Sequence, residues 1–104
     1  MWILRTEENG GTDDCVFRLM PGAIKTLGRA TRADFILDAA LVSRVHCRFT
    51  ARESGELEIE DLHSTNGTFV NAERVKRRRP LAPGDLVTIG RVKLMVEQAT
   101  SGMD

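Results

Sequence analysis

Short runs of alternating apolar and polar residues, each closed by turn-forming residues, limit what this chain can fold into. In LEIEDL, Leu57 and Ile59 point one way and Glu58 and Glu60 the other; in RVKLMVE, Val92, Leu94 and Val96 share a face. Period-two alternation is the mark of a strand with one face in the core. WILR, CVFRLM, FILD, HCRFTAR, TFV and LVTIG read the same way, as does AIKTLG, where Ile24 and Thr26 oppose Lys25 and Leu27. Glycine and proline punctuate the runs at EENGGTDD, Pro21-Gly22, Ser54-Gly55-Glu56 and Pro83-Gly84-Asp85. Only NAERVKRRR fits a helical pattern; it is short and Pro80 follows it, so it is assigned to a loop or strand edge. About ten short strands in 104 residues predict one all-β domain, a sandwich or barrel.

Charge narrows the partners less than its make-up does. Fifteen basic and fifteen acidic residues cancel, so the overall field favours no partner. Twelve of the fifteen basic residues are arginine, whose planar fork suits carboxylate or phosphate oxygens. The start, MWILRTE, lacks a basic segment followed by a long apolar one, and no apolar run approaches the ~20 residues that span a bilayer. Cys15 and Cys47 have no metal-ligand spacing and are expected as buried free thiols on strands. These features predict a reducing interior: cytoplasmic, or nuclear in a eukaryote, with no membrane contact. The polar QATSGMD end is expected to fray as a short tail over 99–104.

Enzyme chemistry is not expected. There are two histidines, His46 and His63, and no paired carboxylates, G-x-S-x-G or H-E-x-x-H. Ser43 and His46 would face apart on a strand and meet only on a loop, with no acid in view to orient the histidine. The basic run Arg74, Lys76, Arg77, Arg78, Arg79 suggests nucleic acid, but no aromatic residue lies beside it to stack on bases, and a solvated loop is the better reading. Asn66-Gly67-Thr68 has the glycosylation spacing, which carries no weight without a secretory signal. Asn66-Gly67 alone explains a tight turn and leaves Ser64 and Thr65 without a role.

Three strand ends hold a different set: Gly28-Arg29, then VSRVH (42–46), then STNG (64–67). Rigid sandwiches present functional residues at such ends. Two arginines, two hydroxyls and an amide suit the charge and oxygens of a phosphate, and do not suit a metal ion. No cofactor is expected.

In order and spacing, LGR, SRVH, LEIEDLHSTNGTFVN and LAPGDLVTIG resemble the forkhead-associated (FHA) domain, a module that reads phosphothreonine. The resemblance runs from Leu27 to Gly90, and the strands outside it fit the same fold. It implies an FHA-type β-sandwich of about eleven strands in two twisted, antiparallel or mixed sheets, with the binding loops at one end and one domain over 1–98. It implies that Arg29, Ser43, Arg44 and Thr65 contact the phosphate or the peptide and that Asn66 holds the peptide backbone. Gly28, His46, Gly67 and Asn71 would support the loops, Asn71 by bracing or by peptide contact. Arg32 and Arg91 fall in loops that set the family's preference at the third residue after the phosphothreonine, which predicts an acidic or polar peptide residue at that position. The implied partner is a phosphothreonine protein, a Ser/Thr kinase or its substrate. Two alternatives remain: an assembly domain that binds partners without phosphate, and nucleic-acid contact through 74–79. The length fits a small bacterial member of the family.

Overall fold

In the computed structural model, which describes residues 1–11 and 13–99, eleven strands form two sheets. The strands are β1 (Trp2–Glu8), β2 (Val16–Leu19), β3 (Ile24–Gly28), β4 (Phe35–Ile36), β5 (Cys47–Ala51), β6 (Leu57–Asp61), β7 (Thr68–Val70), β8 (Glu73–Arg74), β9 (Arg78–Leu81), β10 (Leu86–Ile89) and β11 (Val92–Gln98). One sheet has the order β2-β1-β11-β10-β7-β8 and the other β4-β3-β5-β6-β9. The strand pairs are antiparallel except β3 with β4, which run parallel, so the expected mixed sandwich is present.

Alternation decides which residues close the core. Val92, Leu94 and Val96 are fully buried on β11, and Leu57 and Ile59 nearly or fully so on β6. Cys47, Phe49 and Ala51 face them from β5, opposite Asp61, Ile59 and Leu57 in register. Burying one such large apolar side chain contributes roughly 1.5–3 kcal/mol. On β3 the two faces separate as expected, but Leu27 is the buried residue and Ile24 is 60% exposed, on the outer face beside Thr50.

Other details agree with the sequence reading only in part. Cys47 is buried, whereas Cys15 lies just before β2 and is only half-buried; both thiols are free. Burial pushes the Cys47 thiol far above its usual range. NAERVKRRR supplies β8 and the start of β9, so it is strand edge on both sheets. Pro80 lies inside β9 and does not end it, because β9 is an edge strand that needs no amide hydrogen on its open side. Residues 100–104, most of the expected tail, lie outside the described residues. Ala99 is paired with Met1: its amide donates to the Met1 carbonyl at 2.8 Å, and the Met1 ammonium donates to the Ala99 carbonyl at 3.1 Å.

Asn71 and Ala72 form the two-residue turn between β7 and β8, both left-handed with φ of 50° and 71°. Asparagine tolerates this region; alanine, with its Cβ, does so at a cost. Ala72→Gly is therefore expected to stabilise the fold by about 0.5–1 kcal/mol, read as a higher urea midpoint at unchanged m-value. An unchanged or lower midpoint would refute the strain at this turn.

Candidate functional site

The sheet register brings the three strand ends to one pole. Leu27 on β3 pairs with Cys47 on β5, which pairs with Asp61 on β6, so the residues just beyond them share one end. Backbone bonds continue the ladder there: His46 N–H donates to the Leu27 carbonyl at 2.8 Å and Leu62 N–H to the His46 carbonyl at 3.0 Å. Gly28 then lets two loops touch. Its Cβ position is filled by the Arg44 carbonyl, and the Arg29 and Ala30 amides donate to the Ser43 and Arg44 carbonyls, each at 3.0 Å.

His46 joins these loops to the third. Its Nδ1 accepts the Ser43 amide at 3.0 Å, and its Nε2 lies 2.9 Å from the Gly67 carbonyl. An Nδ1 that accepts and an Nε2 that donates describe one tautomer, the neutral Nε2–H ring. The ring is fully buried. Burial lowers its pKa, against the opposing pull of the Gly67 carbonyl and Asp61. Ser43 and His46 thus meet on a loop, through the serine backbone and not its hydroxyl.

Ser64 acquires a role. Its hydroxyl donates to Asp61 Oδ1 at 2.6 Å and accepts the Gly67 amide at 3.0 Å, while its own amide reaches Asp61 Oδ2 at 3.2 Å. Thr68 Oγ1 donates to the same carboxylate at 2.7 Å. Burial acts to raise the Asp61 pKa, but the bonds from Ser64 and Thr68, with His46 adding to them, outweigh it and lower it. STNG is therefore two overlapping side-chain-capped turns hung on Asp61. Asp61 was not singled out from sequence, although Asp-x-x-Ser spacing after a strand is a turn signal. Gly67 follows at φ 87°, its Cα facing the Arg74 guanidinium, whose carbon would lie 3.1 Å from an added Cβ.

What remains exposed are the groups expected to bind. Arg29 donates Nε to the Val42 carbonyl at 3.0 Å, which fixes its guanidinium and leaves the terminal nitrogens uncommitted among the described residues. Ser43 Oγ accepts the Thr65 amide at 3.0 Å and keeps its proton to donate. Asn66 Nδ2 donates to the Leu41 carbonyl at 3.1 Å, with Leu41 left-handed at φ 71°. Arg29, Ser43 and Thr65 stand on the divide between two open hollows. One, of about 400 Å³, is also lined by Leu41 and Asn66; the other, of about 510 Å³, by Arg32, Arg44 and His63.

Arg29, Arg32, Ser43, Arg44, Thr65 and Asn66 are thus brought together, with Gly28, His46 and Gly67 behind them. Arg91 lines neither hollow; it sits in the turn between β10 and β11. Asn71 lies apart as well: its side chain accepts the Leu86 amide at 3.0 Å and donates to Asp85 at 2.9 Å, which makes it a brace between turns. Among the described residues no cluster of three His, Cys, Asp or Glu side chains is placed to hold a metal ion, and no helix is long and apolar enough to cross a membrane. The basic stretch is partly neutralised, since Arg79 pairs with Glu73 at 2.8 Å.

A sandwich that braces three loops at one pole and exposes cations and hydroxyls on them has the form of a binding module. The family model of the FHA domain matches residues 25–90, and the chain belongs to that family, whose members are binding modules. The chain is 42% identical over 82 residues to the ABC transporter ATP-binding/permease protein Rv1747 of Mycobacterium tuberculosis, covering 79% of this chain and 9% of that protein. It is 42% identical over 77 residues to the glycogen accumulation regulator GarA of Mycobacterium tuberculosis, covering 74% of this chain and 46% of that one. An FHA domain solved in work on phosphothreonine-dependent FHA domain interactions superposes with a TM-score of 0.81 at 29% identity, covering 95% of this chain and 97% of that one. The chain therefore spans less than half the length of these two curated relatives.

Two outcomes follow from the brace. Gly28→Ala is expected to cost about 2–3 kcal/mol or more, because the new methyl must displace backbone; a midpoint within experimental error of the parent in urea unfolding would contradict it. His46 is neutral when folded and takes a proton at about pH 6.5 when unfolded. Its contribution to stability is full above pH 6.5 and is lost as pH falls below it, toward the lower folded pKa. Urea unfolding at steps from pH 7.5 to 5 should show this slope, and His46→Gln should flatten it. Equal slopes in the two proteins would overturn the neutral-ring brace.

Proposed function

We propose that this chain binds phosphothreonine in partner proteins and catalyses nothing. The observation that carries the reading is the convergence of Arg29, Ser43 and Thr65 on one exposed divide, with the Arg29 guanidinium already aimed by Val42. A phosphate there would take charged bonds from Arg29 and Arg44 and neutral ones from Ser43 and Thr65, while Asn66 holds the peptide chain. Each charged hydrogen bond is worth about 1.5–3 kcal/mol, which separates phosphorylated from bare peptide by orders of magnitude. The threonine methyl, worth roughly 1–3 kcal/mol in a fitting niche, would set threonine apart from serine.

We read residues 1–98 as one such domain, since β1 and β2, outside the matched segment, complete the sheet through β11. Its partner is then a product of a Ser/Thr kinase, or the kinase itself, and its setting cytoplasmic. The likeness to a domain studied for phosphothreonine-dependent interactions supports this assignment.

Fluorescence titration of a phosphothreonine peptide library, its bare twin and its phosphoserine twin tests the proposal. Phosphothreonine is expected to bind best, and Arg29→Ala to weaken it at least about tenfold. Equal affinity for phosphorylated and bare peptides would end the reading.

A further inference from the structure

Two of the three asparagines in this chain are followed by glycine, as Asn9-Gly10 and Asn66-Gly67. Such a pair is a chemical hazard as well as a turn. The glycine nitrogen can lose its proton and attack the side-chain carbonyl carbon of the asparagine, because glycine has no side chain to obstruct the approach. A bond forms between that nitrogen and Cγ, the Cγ–Nδ2 bond breaks, and the amide nitrogen leaves as ammonia. Water then opens the succinimide at either carbonyl, giving aspartate or isoaspartate. No oxidant or reductant takes part.

The two pairs differ in what holds the attacking nitrogen. Gly10 is exposed, at φ 63°, and among the described residues its amide donates no hydrogen bond. Asn9 is tied through its side chain, which accepts the Gly11 amide at 3.0 Å and donates to Asp14 at 3.1 Å. Gly67 is buried, and its amide donates to the Ser64 hydroxyl at 3.0 Å. That oxygen can accept because its own proton goes to Asp61 at 2.6 Å, and an ionised carboxylate only accepts. The Gly67 carbonyl lies 2.9 Å from His46 Nε2, and the Asn66 amide nitrogen, which would be the leaving group, donates to the Leu41 carbonyl at 3.1 Å. Both reacting groups are thus tied down at Asn66. A nitrogen engaged in a buried hydrogen bond must first break it, so the reaction waits on local opening of the turn.

We propose that Asn66-Gly67 is a guarded deamidation site, in which the Ser64 hydroxyl, anchored on Asp61, withholds the Gly67 nitrogen and so sets how long Asn66 lasts. The chemistry stands apart from the phosphothreonine reading; its consequence rests on that reading. Deamidation would place a carboxylate in the hollow that Arg29 and Ser43 line, where it would repel a phosphate.

The whole chain is aged at mildly alkaline pH, in buffer and in urea, and the tryptic peptides carrying Asn9 and Asn66 are followed for the mass gain of deamidation. In the folded chain Asn9 is expected to react at least about tenfold faster than Asn66. In urea, where neither turn persists, the two should come within about threefold. Ser64→Ala should speed Asn66 at least about fivefold and leave Asn9 unchanged. Val96→Ala, which weakens the core toward the far end of β11, should speed neither. Equal rates at Asn9 and Asn66 in the folded chain, a ratio that urea does not move, no acceleration in Ser64→Ala, or equal acceleration in Val96→Ala overturns the guard. The parent's ratio needs no variant, so it decides the matter if Ser64→Ala does not fold. Protein deamidated at Asn66, separated by charge, should bind a phosphothreonine peptide at least about tenfold more weakly than fresh protein. Undiminished binding would overturn the consequence and leave the guard standing. Fresh protein that binds no phosphopeptide would overturn the phosphothreonine reading, and the mass ratio would still test the guard.

Discussion

A buried imidazole with no charge holds the binding pole together. His46 accepts from Ser43 and donates to Gly67, so one ring ties the loop before β5 to the loop before β7. A neutral imidazole presents one donor and one acceptor on a single rigid ring. The site depends on this indirectly. The ring ties the backbone at Ser43 to the backbone at Gly67, and between them the Thr65 amide bonds to the Ser43 hydroxyl. Burial keeps the ring neutral, and neutrality keeps both bonds, so packing and polar geometry reinforce one another.

The polar residues of STNG divide into a hidden half and a displayed half. Ser64 and Gly67 are buried and committed to Asp61 and His46, while Thr65 and Asn66 are exposed. A simple hairpin turn would display everything. Here two overlapping turns bury the outer members and project the middle pair toward Arg29. Among the described residues no buried side-chain polar atom lacks a partner, so the display does not leave a costly orphan behind it.

The strands were legible because period-two alternation reports directly which face is buried, as in Leu57–Asp61 and Val92–Gln98. Turn chemistry marked most boundaries, and the order of the loop motifs marked the family. Less was visible where the cause lies far along the chain. Ile24 faces outward because its register with Thr50 sets its face, which hydrophobicity alone does not reveal. Pro80 stays in a strand because β9 is an edge, a fact of sheet order. Asp61 became a hub only once Ser64 and Thr68 folded back upon it. Arg91 and Arg32 looked alike as loop arginines, and only the packing of the loops set one in the hollow and the other outside it.

The pairing of Met1 with Ala99 has a consequence for how such a unit can be carried. β11 starts near the binding pole, beside the turn at Gly90 and Arg91, and runs away from it, so Met1 and Ala99 meet at the opposite pole. Chain attached at either point would leave from one small patch, behind the loops. A unit so attached would be a head on a single pivot, with its mount behind its face. The reach of whatever it is tied to would set the local concentration of its ligand, and the loops themselves need not change.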